Sequence, residues 1–472
     1  MRVFDVTKFR RTILSERPDF GAISAVLTDH RLMLGAVLET MVERFERDPG
    51  YGFIDMKLSL LDGRDFDPAD PIRGKGTIYG WIQGRGLEAL AGHYRWLQRN
   101  QDIEPADRQA MLRRLQAMLR TVLDKMETLR AAQGRLYFMS DTQGHPLAVG
   151  PQGHPVPHSI PADAPPTSTD MFYVKGLMAA AEALDDQTRM RQACVWFEHI
   201  VQCVTQDRFL GDQQPLDPKN VGARTVAGRY GHGTRMLGLG ALAVFMEITG
   251  ERKWLDVGFD FLDHILRWHV NTTGDNAQSR QYDMWEFTDA QHRPWLENGQ
   301  LFSDSGHGTE MVGLAMKFLR AAHARGLVQP DDKARIAEYY RVLPLVLRRN
   351  FANGFAGETG IVKTFDLVSR KPVNSDMPWW SLPETMRAAM ACAAIQPENA
   401  RGPYLDIARK CSNAFFAHYL RPDLLAYQTL DAAGKPVPVV PATPDADPGY
   451  HTGLSIIDTL ALAEDLLRQA ME

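Results

Sequence analysis

Gly306-His307-Gly308-Thr309-Glu310 sets a glycine-flanked imidazole and a carboxylate three positions apart. The run Met311, Leu314, Phe318 that follows has helical spacing, so His307 opens a helix and shares a face with Glu310. A carboxylate beside an imidazole at a helix N-terminus orients the ring and sets its proton affinity. A lone histidine at a helix start is more often structural, so the weight of this one depends on what else gathers around it.

Similar polar and aromatic openings recur along the chain. They are Tyr79-Gly80-Trp81-Ile82-Gln83-Gly84-Arg85, Asp170-Met171-Phe172-Tyr173, Arg229-Tyr230-Gly231-His232, Trp379-Trp380-Ser381-Leu382-Pro383-Glu384 and Gly449-Tyr450-His451. Each has a plain local explanation: core packing for the tryptophan pair, a helix-start ion pair for Arg85, a favourable first-turn carboxylate for Glu384, a cap for His451. Six such openings together point elsewhere. Aromatic faces, imidazoles, carboxylates and a guanidinium gathered in one concavity are what a polyhydroxylated ligand needs.

The elements that must position these residues are helices. Hydrophobic periodicity predicts twelve, over 22–48, 78–99, 107–131, 170–185, 187–206, 232–249, 252–271, 307–325, 331–350, 382–395, 401–419 and 452–469. Strand signals such as Leu136-Tyr137-Phe138-Met139 and Val362-Lys363-Thr364-Phe365 are short and fall between helices. Segment 232–249 is nearly uncharged, whereas 252–271 carries Arg252, Lys253, Asp256, Asp260, Asp263 and Arg267 around an apolar stripe. The same contrast separates 382–395 from 401–419, and 307–319 from 331–350. Helices apolar all round are buried and helices with one apolar stripe face solvent. Six of each in alternation describe an all-α, (α/α)6 barrel with short β-hairpins in its connections, and the inner helix N-termini then meet at one mouth. No repeat of constant length favours an open solenoid. One domain, 1–472, is expected. The connections 141–169, with seven prolines and His145, His154 and His158, and 431–449 are long enough to act as lids. The His-Pro repeats match no metal-ligand geometry.

Of the 472 residues 44% are hydrophobic and 24% charged, and the net charge is −5. That is the composition of an ordinary globular protein with no basic footprint for nucleic acid. No stretch reads as a membrane span, and Met1-Arg2-Val3-Phe4-Asp5 lacks the pattern of a signal peptide. A cytoplasmic location is the expectation. Cys194, Cys203, Cys392 and Cys411 have neither disulfide-framework nor zinc-ligand spacing and read as buried thiols.

Taken in order, Trp81-x-Gln83-Gly84-Arg85, Asp170-x-Phe172-Tyr173, Gly306-His307-x-x-Glu310, Trp379-Trp380-x-x-x-Glu384 and Tyr450-His451 resemble the N-acylglucosamine 2-epimerase superfamily. That superfamily includes cellobiose 2-epimerases and mannose isomerases, and the motifs span residues 78–455. The resemblance implies an (α/α)6 barrel and no metal or redox cofactor. It implies a small-molecule sugar as partner, no nucleic acid or membrane, and a monomer or homodimer. By the same resemblance His307 and His451 are the acid/base pair that moves the proton at sugar C2 through an enediol or enediolate. Glu310 orients His307 and helps open the sugar ring, and Arg85 stabilises the enediolate oxygens. Trp380 stacks on the sugar and Glu384 binds hydroxyls or assists ring opening. Trp379, Gln83, Trp81, Asp170, Tyr173, His232 and Tyr450 complete the implied binding set.

The chain also departs from the family pattern. Ser305 stands where proline is usual, Ser381-Leu382-Pro383 interrupts the tryptophan motif, and Thr452-Gly453-Leu454-Ser455 follows His451. The connection 51–77, with Asp55, Lys57 and Asp62-Gly63-Arg64-Asp65, is also atypical. These differences leave the substrate open among mono- and disaccharides, acylated and sulfonated sugars, and leave epimerisation and isomerisation undivided. Two other readings stand beside this one. One is a glycoside hydrolase on the same barrel, with Asp170 paired with Glu310 or Glu384 across the bond. The other is a non-catalytic sugar-binding or protein-interaction module.

Overall fold

The computed structural model describes residues 4–161, 163–214, 216, 226–439 and 442–471. Among these the alternation of apolar and striped segments becomes twelve helices. They are α1 (Phe20–Arg47), α2 (Gly80–Arg99), α3 (Pro105–Gln133), α4 (Ser168–Ala183), α5 (Gln187–Thr205), α6 (Gly233–Thr249), α7 (Lys253–Trp268), α8 (Ser305–Ala324), α9 (Lys333–Gly354), α10 (Ser381–Ala394), α11 (Gly402–Ala414) and α12 (Ser455–Met471). The apolar segments form the inner ring: α2 packs on α4, α4 on α6, α6 on α8, α8 on α10 and α10 on α12. The turn Tyr450–Leu454 ahead of α12 packs back on α2 and closes it.

Burial follows from composition. In α4 every residue from Ser168 to Ala181 is buried, and in α10 every residue from Ser381 to Ala393. In α7 the stripe Trp254, Leu255, Phe259, Leu262, Ile265 and Leu266 is buried while Lys253, Asp256, Asp260, Asp263 and Arg267 stay exposed. Between α2 and α4 the backbones themselves touch, because Gly84 and Gly176 carry no side chain. A Cβ on Gly176 would stand 2.3 Å from the Gly84 carbonyl oxygen.

Helix α1 corrects one expectation. It is long and apolar enough, by length and composition, to cross a membrane. Its apolar stretch is 56% buried, against α3, α12 and the 450–454 turn, so core packing accounts for its hydrophobicity.

Short antiparallel strands lead directly into the inner helices. Thr77–Tyr79 pairs with Met139–Asp141 ahead of α2, Tyr230–Gly231 with Phe287–Thr288 ahead of α6, and Met377–Pro378 with Thr429–Leu430 ahead of α10. Phe302–Ser303, ahead of α8, joins Thr364–Asp366 and Lys371–Asn374 in a three-stranded sheet. The two strands expected over 136–139 and 362–365 therefore begin later, at Met139 and Thr364. Helix 401–419 ends early as well: its last turn, Phe415–Tyr419, is π-helical, and so is Tyr450–Leu454. The unusual connection 51–77 is held by charge. Arg44 pairs with Asp55 at 3.1 Å and closely with Asp65, and Lys57 Nζ donates to the carbonyl of Gly74 at 2.7 Å and to that of Thr77.

Candidate active site

At the end of the ring where the inner helices start lies a cavity of about 600 Å³. Every inner helix contributes its first turns or the residues just before them: Trp81 and Arg85 from α2, Phe172 from α4, Thr234 from α6, His307 and Glu310 from α8, Trp379 and Trp380 before α10, and His451 before α12. The convergence expected from the six openings is present.

Helix α8 sets His307. Asp304 caps it, accepting from the backbone N–H of Gly306 at 3.0 Å and of His307 at 3.2 Å. Lys363 Nζ donates to the other oxygen of Asp304 at 2.6 Å. The ring of His307 is oriented through Nδ1, which stands 3.1 Å from Glu286 Oε2 and 3.5 Å from Asp304 Oδ2. Burial alone would lower the imidazole pKa, but the charges of Asp304 and Glu286 outweigh it and hold His307 at about 9. Glu286 itself is held well below the usual carboxylate range: burial opposes ionisation, and His232 and His307 overcome it.

Glu310, expected to orient His307, does not. Its carboxylate faces Glu384 and His451, with one donor atom of each within 4.8 Å of the others. Burial, then the Glu384 charge, push the Glu310 pKa up. His451 has its own carboxylate: Nδ1 is 2.9 Å from Glu384 Oε1, which also accepts from Ser455 Oγ at 2.8 Å. Glu384 is thus engaged with His451 and Ser455, and its second oxygen with Arg387, instead of lying free for sugar hydroxyls. Against the penalty of burial, Arg387, then His451 and Ser455, hold Glu384 at about 2.

His451 rides on the π-helical turn, which Asp447 fastens by accepting from the N–H of Tyr450 at 2.8 Å and of Thr452 at 2.7 Å. Trp380 stands between the two imidazoles, stacked on His307 at 5.3 Å and tilted against His451 at 5.8 Å. Trp379 turns its ring edge to His451 at 6.0 Å, and its Nε1 donates to Asp447 at 3.4 Å. Arg85 lies over the faces of Phe172, Trp81 and Tyr450, 4.2, 5.2 and 5.3 Å from their centroids, and its Nε is buried without a hydrogen-bond partner among the described residues. Trp81 is fixed by donating to Asp212 Oδ1 at 3.0 Å.

Five expected binding residues lie outside the cavity wall. Gln83 is buried and pairs both ends of its amide with the backbone of Ile54, at 2.8 and 3.0 Å, tying the 51–57 segment to α2. Asp170 forms the α4 capping box with Thr167 and a 3.0 Å ion pair with Arg135. Tyr173 points to the outer ring and donates to Glu127 at 2.9 Å. Tyr450 stands behind Arg85 and accepts from Lys175 Nζ at 2.5 Å. His232 is fully buried behind Glu286, with Nε2 3.1 Å from Glu286 Oε1. All five sit at or directly before helix starts, as expected; successive residues of a helix are turned by about 100°, and these five face neighbouring elements instead of the cavity.

Glu286, Asp304 and Lys363 were not singled out by the sequence. Each lies in one of the connections between helices, 269–304 or 355–380, where no helical periodicity marks a residue as inward-facing. The capping position of Asp304, directly before the helix, was the one available signal. The long connections also divide differently from expectation. Among the described residues only Ser168, the first of α4, lines the cavity from 141–169, and only Ala442 from 431–449, residues 162, 440 and 441 lying outside the described set. Residues of 207–213 and 226–237 form that wall instead, with Arg229 over the ring of Phe287 at 4.0 Å.

Among the described residues two triads bring donor atoms within 4.8 Å of one another: His232, Glu286 and His307, and Glu310, Glu384 and His451. Either set has donors suited to a divalent cation, and each imidazole–carboxylate contact is equally accounted for as an orienting hydrogen bond.

The sequence profile of N-acylglucosamine 2-epimerase (GlcNAc 2-epimerase) matches residues 162–452. No curated protein sequence matches the chain. Among solved structures, a sugar epimerase from a ruminal bacterium is similar with a TM-score of 0.63 at 13% identity, over 92% of this chain and 98% of that one. A cellobiose 2-epimerase from Bacillus thermoamylovorans is similar with a TM-score of 0.58 at 14% identity, over 90% and 99%. A D-mannose isomerase is similar with a TM-score of 0.54 at 14% identity, over 92% and 97%. These likenesses show the (α/α)6 barrel. With a profile match across more than half of its residues, the chain belongs to the N-acylglucosamine 2-epimerase family.

Proposed function

We propose that this sugar epimerase or isomerase works without a cofactor, by proton transfer at sugar C2 between His451 and His307. One observation carries the reading: two imidazoles share the cavity, each oriented through Nδ1 by its own carboxylate, which leaves Nε2 for the substrate. With a pKa of about 9, His307 enters the reaction protonated. His451 Nε2 takes the proton from C2 of the open-chain aldose, and the C–H electron pair passes into the C1–C2 bond as the carbonyl π pair moves to O1. Arg85, without a carboxylate ion pair among the described residues, stabilises the charge on the enediolate oxygens. His307 returns its proton to C2 from the other face, which gives the epimer; return to C1, with the O2 proton transferred to O1, gives the ketose. Glu310, whose carboxyl is pushed up by burial and by Glu384, donates to the ring oxygen as the sugar opens and regains that proton from the C1 hydroxyl.

The hydrolase reading loses support from the placement of its carboxylates. Asp170 is consumed by the capping box and Arg135, and Glu384 by His451, Ser455 and Arg387. No opposed pair involving Asp170 reaches the cavity.

Proton NMR in D2O with a panel of aldoses, ketoses and disaccharides tests the proposal. Loss of the C2 proton signal on one of them, abolished in His307→Ala and His451→Ala, is the expected result. Release of free monosaccharide from a glycoside without exchange would overturn it.

A further inference from the structure

Below the cavity a line of charged side chains runs down the inside of the ring. His451 Nδ1 meets Glu384 Oε1 at 2.9 Å, and Glu384 Oε2 makes a close ion pair with Arg387. Arg387 then faces Asp458 at 3.8 Å, and Asp458 binds Lys317 Nζ at 2.9 Å. Arg387 is 5% exposed and absent from the cavity wall, so it does not touch a substrate there. Space is kept for it: a Cβ on Gly313 of α8 would stand 3.1 Å from its Nε.

A buried ion pair is weak grounds for a gain in stability, because desolvating both groups offsets most of their attraction. What Arg387 does control is the neighbouring carboxyl pair. Glu310 and Glu384 have oxygens within 4.8 Å of each other in a buried site, where two like charges disfavour full ionisation. The other charged or titratable groups that act on Glu384 are Arg85 from α2 and His451 and Tyr450 from the π turn, while Asp458 from α12 acts on Arg387. Among the described residues Arg387 is the one arginine or lysine that makes an ion pair with it.

We propose that Arg387 is a positioning residue for the reaction: it keeps Glu384 ionised, which fixes the proton of His451 on Nδ1 and leaves Nε2 as the base, and it assigns the single proton of the carboxyl pair to Glu310. This rests on the reading of His451 and Glu310 given above. Glu310 then faces the cavity as an acid and Glu384 lies behind it as an anion, so two chemically equal side chains take different roles because only one touches a guanidinium.

The test uses the full chain, with thermal unfolding to establish that each variant is folded. On the sugar whose C2 proton the wild type exchanges, Arg387→Met is expected to lower kcat about 100-fold while KM moves less than about threefold. Its acidic limb in the kcat profile rises, because Glu384 now takes a proton closer to neutral pH. Arg387→Lys restores the limb and most of kcat. In protein labelled with 15N-histidine, the Nδ1–H signal of His451 is present in the wild type and in Arg387→Lys and is lost in Arg387→Met. If the methionine variant does not fold, Arg387→Gln carries the same expectations. An unmoved pH profile together with an unchanged His451 signal overturns the proposal, and so does a loss of kcat that lysine fails to rescue. If the wild type exchanges no proton with any sugar, the reading of the reaction fails, and the histidine signal by itself decides the role of Arg387.

Discussion

At the scale of single residues, the site is two imidazoles distinguished by their surroundings. His307 sees two carboxylates, Glu286 and Asp304, and His451 hydrogen-bonds to one, Glu384. The charge on Glu286 therefore has a measurable consequence. Replacing it in Glu286→Gln removes one of the two charges that hold His307 at about 9, and the imidazole pKa falls toward the ordinary value of about 6.5. His307 must be protonated to donate, so the alkaline limb of the kcat profile moves down and kcat at pH 8 falls by about tenfold. A pH–rate series on wild type and variant checks this; an unmoved limb would remove Glu286 from the account. His307 was legible in the sequence because glycine on either side and a helix behind it mark an exposed imidazole at a helix start. Its true partner was not, since Glu286 is 21 residues away and is held beside His307 by the segment ahead of α8, donating its N–H to the Phe302 carbonyl at 2.9 Å and accepting from the Asp304 N–H at 3.1 Å.

Elements position these residues through their starts. Asp304 caps α8, receives Lys363 and contacts His307, so Asp304→Ala affects folding and function together. The lost cap is expected to cost about 1–2 kcal/mol, read by urea denaturation, and the loosened first turn lowers kcat. The π-helical turn under His451 is a second such element. An inserted residue re-aims the side chains that follow, which is why such turns gather at functional sites. Asp447→Ala frees the backbone of Tyr450 and Thr452 and is expected to lower kcat for C2 exchange by about tenfold, with little change in the unfolding midpoint.

For the whole molecule, two properties follow from ring closure. The first is tight contact between α2 and α4. Gly176→Ala drives a methyl into the carbonyl of Gly84, one residue before Arg85, and is expected to destabilise the fold by about 1–3 kcal/mol. A thermal melt measures the loss, and proton exchange activity should fall with it. The second is a pH dependence of stability. The folded pKa of His307 lies above its unfolded value of about 6.5, so its contribution is fully present below that pH and is lost as pH rises through about 9. On the order of 3 kcal/mol is involved. Unfolding free energies at pH 6.5 and 9.5 for wild type and His307→Gln check the sign, since the variant should lose less on going to alkaline pH.

The sequence alone determined the helices, because burial pattern is written residue by residue: 232–249 has no polar face to expose and 252–271 has one. It also determined the barrel, since alternating helices of those two kinds have few ways to hide their apolar surface, and it determined that the inner helix starts share one mouth. What only the tertiary structure decided is which neighbour each polar side chain meets. Trp81, Arg85, His307, Trp380 and His451 face inward, whereas Gln83, Asp170, Tyr173 and Tyr450, chosen on the same grounds, are turned to neighbouring elements. Spacing along a helix fixes which residues share a face, but the rotation of that helix in the ring is fixed by its neighbours, and partners such as Glu286 and Arg387 are brought in by contacts that no local pattern encodes.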